Sequence, residues 1–342
     1  MNHRSGGPRS FNTVKRSNRE ERLKRRRQCD KTLFAIFVVS LLLVLSAFIL
    51  LVCNLAVGIH NRRQAADGGN TPDLPNSSGI TYQMSTQKTD AYRMGELAVV
   101  NGSHEYVFPT GEADKLVDLM DHRGLVDGKY PFQIYTGKSQ RLQETAAVKL
   151  GELLTAYYKQ TGTALVVYDT YRTREDQARI EPTSGVPAGK SEHHTGLVAS
   201  LSESPSTLKL ELSDHTGLFE MCHRYGFIQR YPSGKGSLTG VNNYEECLRY
   251  VGVAHATYIY NNGLCLEEYV EMLRKNHVSQ SGTDGKHLLI DTDKDGTANY
   301  AVYYVPKSGS SDLTTVPIPE GIPYTVSGDN IGGFIVTVTL NP

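Results

Sequence analysis

With 342 residues the chain exceeds one average domain, so one mid-sized domain with attachments is the default expectation. The formal charge is zero, but residues 1–31 carry eleven Lys and Arg against three acidic residues, whereas residues 64–342 carry 23 basic against 33 acidic ones. Five cysteines exclude a disulfide framework, because Cys29 and Cys53 precede the main body and Cys222, Cys247 and Cys265 remain, an odd number open to one pair or none.

The basic head ends in KRRR, 24–27, and Lys31. Residues 32–59, TLFAIFVVSLLLVLSAFILLVCNLAVGI, hold no ionisable side chain except Cys53. A membrane-crossing helix needs roughly 20 apolar residues. A cleavable signal has an apolar region of only about 7–15 residues and a small-residue exit. A lipoprotein-type reading of LLVC places bulky Val52 where a small residue belongs. The run therefore reads as a retained single-pass helix, the basic cluster holding the N-terminus in the cytoplasm and residues 60–342 outside the cell membrane. Beside such a span the Arg-rich head reads as a topology and anionic-lipid element rather than a nucleic-acid binder.

Residues 60–94, rich in Gly, Asn, Ser, Thr and Gln, read as a flexible linker. ELAVVN, 96–101, predicts a short β run closed by Asn-Gly. Residues 140–162 set Leu142, Ala146, Leu150, Leu153, Leu154 and Tyr157 at helical spacing and stop at Gly162. TALVVYDTY, 163–171, predicts the returning strand, and TLKLEL, 207–212, alternates as a strand does. HTGLFEMCHRYGF, 215–227, and LCLEEYVEMLRKN, 264–276, predict helices. From residue 278 strand-length runs alternate with Gly, Pro and Asp-Gly turns, predicting a small β-rich appendage over 278–342. Within it DTDKDG, 291–296, has the early Asp and Gly spacing of a calcium loop, but Val302 falls where the bidentate Glu belongs, so a hairpin turn is expected.

SEHHTG alone is a weak signal for metal chemistry. Three stretches carry more together: YRTREDQ at 171–177, SEHHTGLVAS at 191–200 and YEECLRYVG at 244–252. With KYPFQIY before them and RYGFIQRYPSGKGSLTG between the second and third, residues 95–275 resemble the VanY-type D-alanyl-D-alanine carboxypeptidases. In that family zinc is held by the His and Asp of S-x-H-x-x-G-x-A-x-D and by the His of E-x-W-H. The Glu of E-x-W-H is the general base, and an Arg in Y-R-S-x-x-x-Q grips the substrate. Three protein ligands leave a fourth tetrahedral position for water. The metal lowers the pKa of that water towards about 7, and a guanidinium fork fits a terminal carboxylate.

Carried over residue by residue, Arg172 and Gln177 match the substrate stretch, and Ser191, His193 and Gly196 match the second motif, so His193 is the retained ligand. Ser200 stands at the Asp ligand position, Cys247 at the second His, Glu246 at the Trp and Tyr244 at the general base. A neutral hydroxyl is a poor zinc ligand, whereas a Cys thiolate is a good one. A phenol with a pKa of about 10 is no general base near neutral pH. Asp214 and His215 are the alternative ligands, and Glu245 and Glu246 the alternative bases. For Arg172 a structural salt bridge stands beside the carboxylate clamp, and His194 and His223 read as structural.

The expected fold is α+β, a mainly antiparallel sheet with packed helices over 95–277, with the appendage behind it and one transmembrane helix before it. The expected function is a membrane-anchored, catalytically degenerate family member that binds peptidoglycan stem peptide or a cell-envelope protein through Arg172, Gln177 and Ser191. Zinc is expected for the family and absent or weak here. Two alternatives stand beside this reading: a working zinc DD-carboxypeptidase with an altered ligand set, and a surface scaffold.

Overall fold

The structure, a computed structural model, describes residues 80–340 except Glu112 and Lys138, so the basic head and the apolar run 32–59 lie outside the described residues. Among the described residues no helix is long and apolar enough to cross a membrane. In chain order the elements are β1 (Tyr82–Lys88), β2 (Val117–Asp118), β3 (Gln133–Ile134), β4 (Arg141–Leu142), α1 (Glu144–Thr161), β5 (Val166–Asp169), α2 (Arg174–Ser184), β6 (Val198–Ser202), α3 (Thr216–Met221), β7 (Phe227–Gln229), α4 (Gly236–Thr239) and β8 (Cys247–Tyr250). There follow α5 (Val253–Asn261), α6 (Leu266–Asn276), β9 (Leu288–Ile290), β10 (Tyr300–Pro306), β11 (Leu313–Pro319), β12 (Tyr324–Gly328) and β13 (Gly333–Thr339).

The central sheet runs β3-β5-β6-β8-β7, with only the β3–β5 pair parallel. This is the mixed α+β architecture the pattern predicts. The apolar stripe of α1 packs Leu150, Leu153 and Leu154 onto Val167, Leu201 and Leu248 of the sheet. The helix ends where Gly162 enters the left-handed region at φ 75°, its N–H donating to the Tyr158 carbonyl at 2.7 Å. Side chains alternate along a strand, so burying Ala199, Leu201 and Leu248 under α1 sends Ser200 and Cys247 to the opposite face. There the register sets Asp169 beside Ser200 and Ser200 beside Cys247.

The C-terminal strands form a second antiparallel sheet, β12-β13-β10-β9. One face shares a core with α5 and α6 through Ile259, Leu266, Tyr269, Val302, Tyr304 and Ile335. The other face buries Tyr303, Phe334 and Val336 against Val316 and Ile318 of β11. β11 pairs along its whole length with β1. Residues 80–94, expected as linker, are thus ordered, because β1 and the 3-10 turn Thr89–Arg93 find partners in the far end of the chain.

Two further expectations are corrected. ELAVVN is no strand; Leu97 to Val100 are buried, but their backbone is met from outside any ladder, Leu97 N–H donating to Ser327 Oγ at 2.9 Å and Val99 N–H to the Asp329 carbonyl at 3.0 Å. TLKLEL has no partner strand, and Leu208 turns into the left-handed region at φ 50°. Cys222, Cys247 and Cys265 are all buried, with no disulfide among them. DTDKDG forms the connection between β9 and β10, with Asp291 accepting the backbone N–H groups of Lys294 at 2.6 Å and Gly296 at 2.8 Å.

His255 joins the two sheets' helices and strands: Nδ1 meets Tyr269 Oη at 2.7 Å and Nε2 meets Thr337 Oγ1 at 2.9 Å. Burial lowers its pKa from 6.5 to about 3. The unfolded chain therefore takes up a proton near pH 6.5 that the folded chain refuses until near pH 3, so stability is intact above pH 6.5 and declines as pH falls between those values. The fall in melting temperature from pH 7 to pH 4.5 is expected to be smaller in His255→Gln than in the unmodified chain, as measured by thermal denaturation of both.

Candidate functional site

The 3-10 turn Glu192–Thr195 lays its side chains over the polar face of the central sheet. Ser191 caps it, its hydroxyl accepting the His193 N–H at 3.3 Å. Glu192 is fully buried and sits between two buried arginines, accepting from Arg230 Nε at 2.8 Å and from Arg249 Nη1. Arg230 also forks onto Glu267 at 2.7 and 3.0 Å. Arg249 donates to the carbonyls of Glu96 at 2.8 Å and Ala98 at 3.3 Å. Two guanidinium groups and two carboxylates thus pin the turn that carries His193 to β7, β8 and α6.

His193 Nδ1 lies 2.5 Å from the Thr170 carbonyl, which can only accept, so this nitrogen carries the proton. Its Nε2 must then accept, and it does so from the Tyr244 hydroxyl at 2.9 Å. Tyr244 Oη also meets Ser200 Oγ at 2.5 Å. The Tyr244 ring is stacked between His193 and Tyr231, with centroids 6.1 and 5.6 Å away. Cys247 lies beside Ser200 in the strand register and hydrogen-bonds it. Burial pushes both the Tyr244 phenol and the Cys247 thiol far above their ordinary pKa values. His193, Ser200, Tyr244 and Cys247, separated by up to 54 positions in the chain, are therefore brought into one cluster.

Arg172 has little left for a ligand. Its Nε donates to Asp169 Oδ2 at 2.9 Å, Nη2 donates to the same oxygen, and Nη1 donates to Gln177 Oε1 at 2.8 Å. Gln177 is fully buried, and its amide donates to the Val186 carbonyl at 2.7 Å. The salt-bridge alternative for Arg172 is the one the geometry supports. Asp169 is the residue that pattern reading missed; it lies three positions before Arg172, and only the strand register puts it opposite Ser200. His194 is structural, with Nδ1 at 2.8 Å from the Arg172 carbonyl and Nε2 accepting the Gly189 N–H at 3.0 Å. His223 stacks on Tyr260 with centroids 4.3 Å apart.

Two of the alternatives for the missing roles, His215 and Glu246, are engaged elsewhere. His215 bridges Tyr157 at 2.7 Å and Glu203 at 3.1 Å. Glu246 accepts from Tyr168 Oη at 3.2 Å, and burial raises its pKa. As arranged, the cluster does not fit a catalytic zinc ion. It offers one imidazole whose lone pair already has a phenolic proton, a hydroxyl bonded to the same phenol, and one buried thiol. Three ligands and an open fourth position are what such an ion requires.

Residues 139–253 match the family model VanY, D-alanyl-D-alanine carboxypeptidase. The chain is 28% identical over 269 residues to a D-alanyl-D-alanine carboxypeptidase of Enterococcus faecium, which covers 77% of this chain and 80% of the relative. It is 36% identical over 157 residues to a D-alanyl-D-alanine carboxypeptidase of Enterococcus faecalis, covering 45% of this chain and 52% of that one. Among solved structures, the vancomycin-resistance D,D-dipeptidase VanXYg in complex with a D-Ala-D-Ala phosphinate analogue matches with a TM-score of 0.59 at 23% identity, over 76% of this chain and 99% of that one, a likeness of fold. The fold is that of a DD-peptidase. Residues 139–253 are thus similar to the VanY-type D-alanyl-D-alanine carboxypeptidases, and the relatives and the fold support that family.

Glu192→Gln leaves a buried guanidinium short of a counter-charge, and breaking such a pair costs about 3–5 kcal/mol. Urea unfolding of the variant is expected to show that loss, whereas Glu203→Gln, at a side chain 44% exposed, is expected to shift the midpoint far less.

Proposed function

We propose that this chain is a membrane-anchored, extracytoplasmic member of the family that recognises peptides of the peptidoglycan stem type without hydrolysing them. The supporting observation is Tyr244, whose hydroxyl links His193 Nε2 and Ser200 Oγ at 2.9 and 2.5 Å, where the family's chemistry calls for an open metal position and a carboxylate base. The two curated relatives are named D-alanyl-D-alanine carboxypeptidases, and the solved neighbour holds a D-Ala-D-Ala analogue, which supports a D-Ala-ended peptide as the ligand class. The anchor is the apolar run 32–59, read from its length and lack of charge.

A second reading, a zinc carboxypeptidase with altered ligands, has one observation in its favour. His193 donates Nδ1–H to a backbone carbonyl, the partnering that metal-bound histidines adopt. It would require Tyr244 to swing out and Cys247 to lose its proton.

Metal analysis and a D-Ala-release assay on the full-length chain separate the two. The expected result is substoichiometric zinc and no release; stoichiometric zinc with turnover lost in His193→Ala would overturn the proposal. Ser200→Asp, Tyr244→Glu and Cys247→His made together are expected to create tight Co²⁺ binding, read by its visible absorption, where the unmodified chain has none.

A further inference from the structure

Beside the His193 cluster lies a cleft of about 460 Å³ lined by Ser139, Arg141, Asp169, Tyr171, Arg172 and Thr173, with Asp176 and Arg179 at its rim. That size falls within the range of ligand pockets. Of its three guanidinium groups two are paired: Arg172 with Asp169, and Arg179 with Asp176. Arg141 differs. It is half-buried on β4, its Nη1 donates only to the Ala113 carbonyl at 3.3 Å, and its guanidinium carbon stands 5.6 Å from the centroid of the Tyr171 ring. Among the described residues no carboxylate lies within ion-pair distance of it. Its cross-strand neighbour Asp118 makes no ion pair with it, accepting instead the Met120 N–H at 2.9 Å and the Ser139 hydroxyl at 3.3 Å. The cleft therefore carries one unbalanced positive charge on a residue held in place by an aromatic face.

We infer that Arg141, and not Arg172, reads the terminal carboxylate of a bound peptide. The inference rests on the recognition reading above and changes the residue that carries it. Arg172 is the residue that the family resemblance points to, but its three nitrogens already donate to Asp169 and Gln177, and the Asp169 carboxylate cancels its charge. Arg141 retains most of its five N–H donors in a planar fork, which suits two carboxylate oxygens. Thr173 lines the same cleft; its hydroxyl accepts the Asp176 N–H at 3.0 Å and has its own proton to donate. Asp169 and Asp176 face the cleft too, but each already accepts from an arginine, so neither leaves a free negative charge to repel an anion.

The test is calorimetric titration of the full-length chain, purified in detergent, with a tripeptide ending in D-Ala-D-Ala and with its C-terminal amide. The free acid is expected to bind roughly tenfold more tightly than the amide, the scale of one charge-assisted hydrogen-bonded contact. Arg141→Met is expected to abolish that preference and Arg172→Lys to keep it, with thermal melting showing that each variant is folded and Arg141→Gln as the second variant should Arg141→Met not fold. Equal binding of acid and amide, a preference that survives loss of Arg141, or one that disappears in Arg172→Lys would each overturn the assignment while leaving peptide recognition standing. If neither peptide binds the unmodified chain, the recognition reading fails and the assignment with it.

Discussion

The arrangement depends on one buried carboxylate. Glu192 carries no exposed surface and stands between Arg230 and Arg249, which are equally buried. An isolated charge at such depth would be prohibitive, and it is tolerated here because four charges neutralise one another and their remaining donors find carbonyls. The same carboxylate precedes His193 by one residue, so the network that makes the burial affordable also sets the imidazole over the sheet. Arg249 meanwhile ties down the backbone of residues 96–98, a segment with no strand partner.

From that frame the site follows by strand geometry. β5, β6 and β8 lie side by side, and their register brings Asp169, Ser200 and Cys247 into a row on the face turned away from α1. Tyr244 reaches that row from the residues just before β8, and its ring is stacked between Tyr231 and His193. Scaffold and chemistry are separable in this chain. The sheet presents three positions to one point whatever side chains occupy them, and what happens at that point is decided by which atoms they carry. Here the sheet supplies a carboxylate, a hydroxyl and a thiol, and His193 and Tyr244 add an imidazole and a phenol whose hydrogen bond satisfies the imidazole lone pair.

α1 and β5 were legible because the stripe at 142–157 and the apolar run Leu165, Val166 and Val167 are local signals with a clear stop at Gly162. The strand expected at 207–212 did not form, because alternation describes a surface that wants a neighbour and no strand is available there. β1 was illegible for the converse reason: YQMSTQK has little apolar content, and its strand character comes from β11, more than 220 positions away. The appended strands were anticipated as strands, but their shared core with α5 and α6 was not, since no local periodicity records which sheet a helix will cover.

The sequence by itself determined the likeness to the VanY-type motifs, with His at 193 and Ser, Tyr and Cys at 200, 244 and 247, because motif order and spacing are properties of the chain alone. It left Arg172 poised between clamp and salt bridge. Only the tertiary structure placed Asp169 and Gln177 around the guanidinium, and it alone put the Tyr244 hydroxyl between His193 and Ser200. Hydrogen-bond partners are chosen by distance and direction in space, and residues at 169, 193, 200 and 244 acquire both only once the strands have paired.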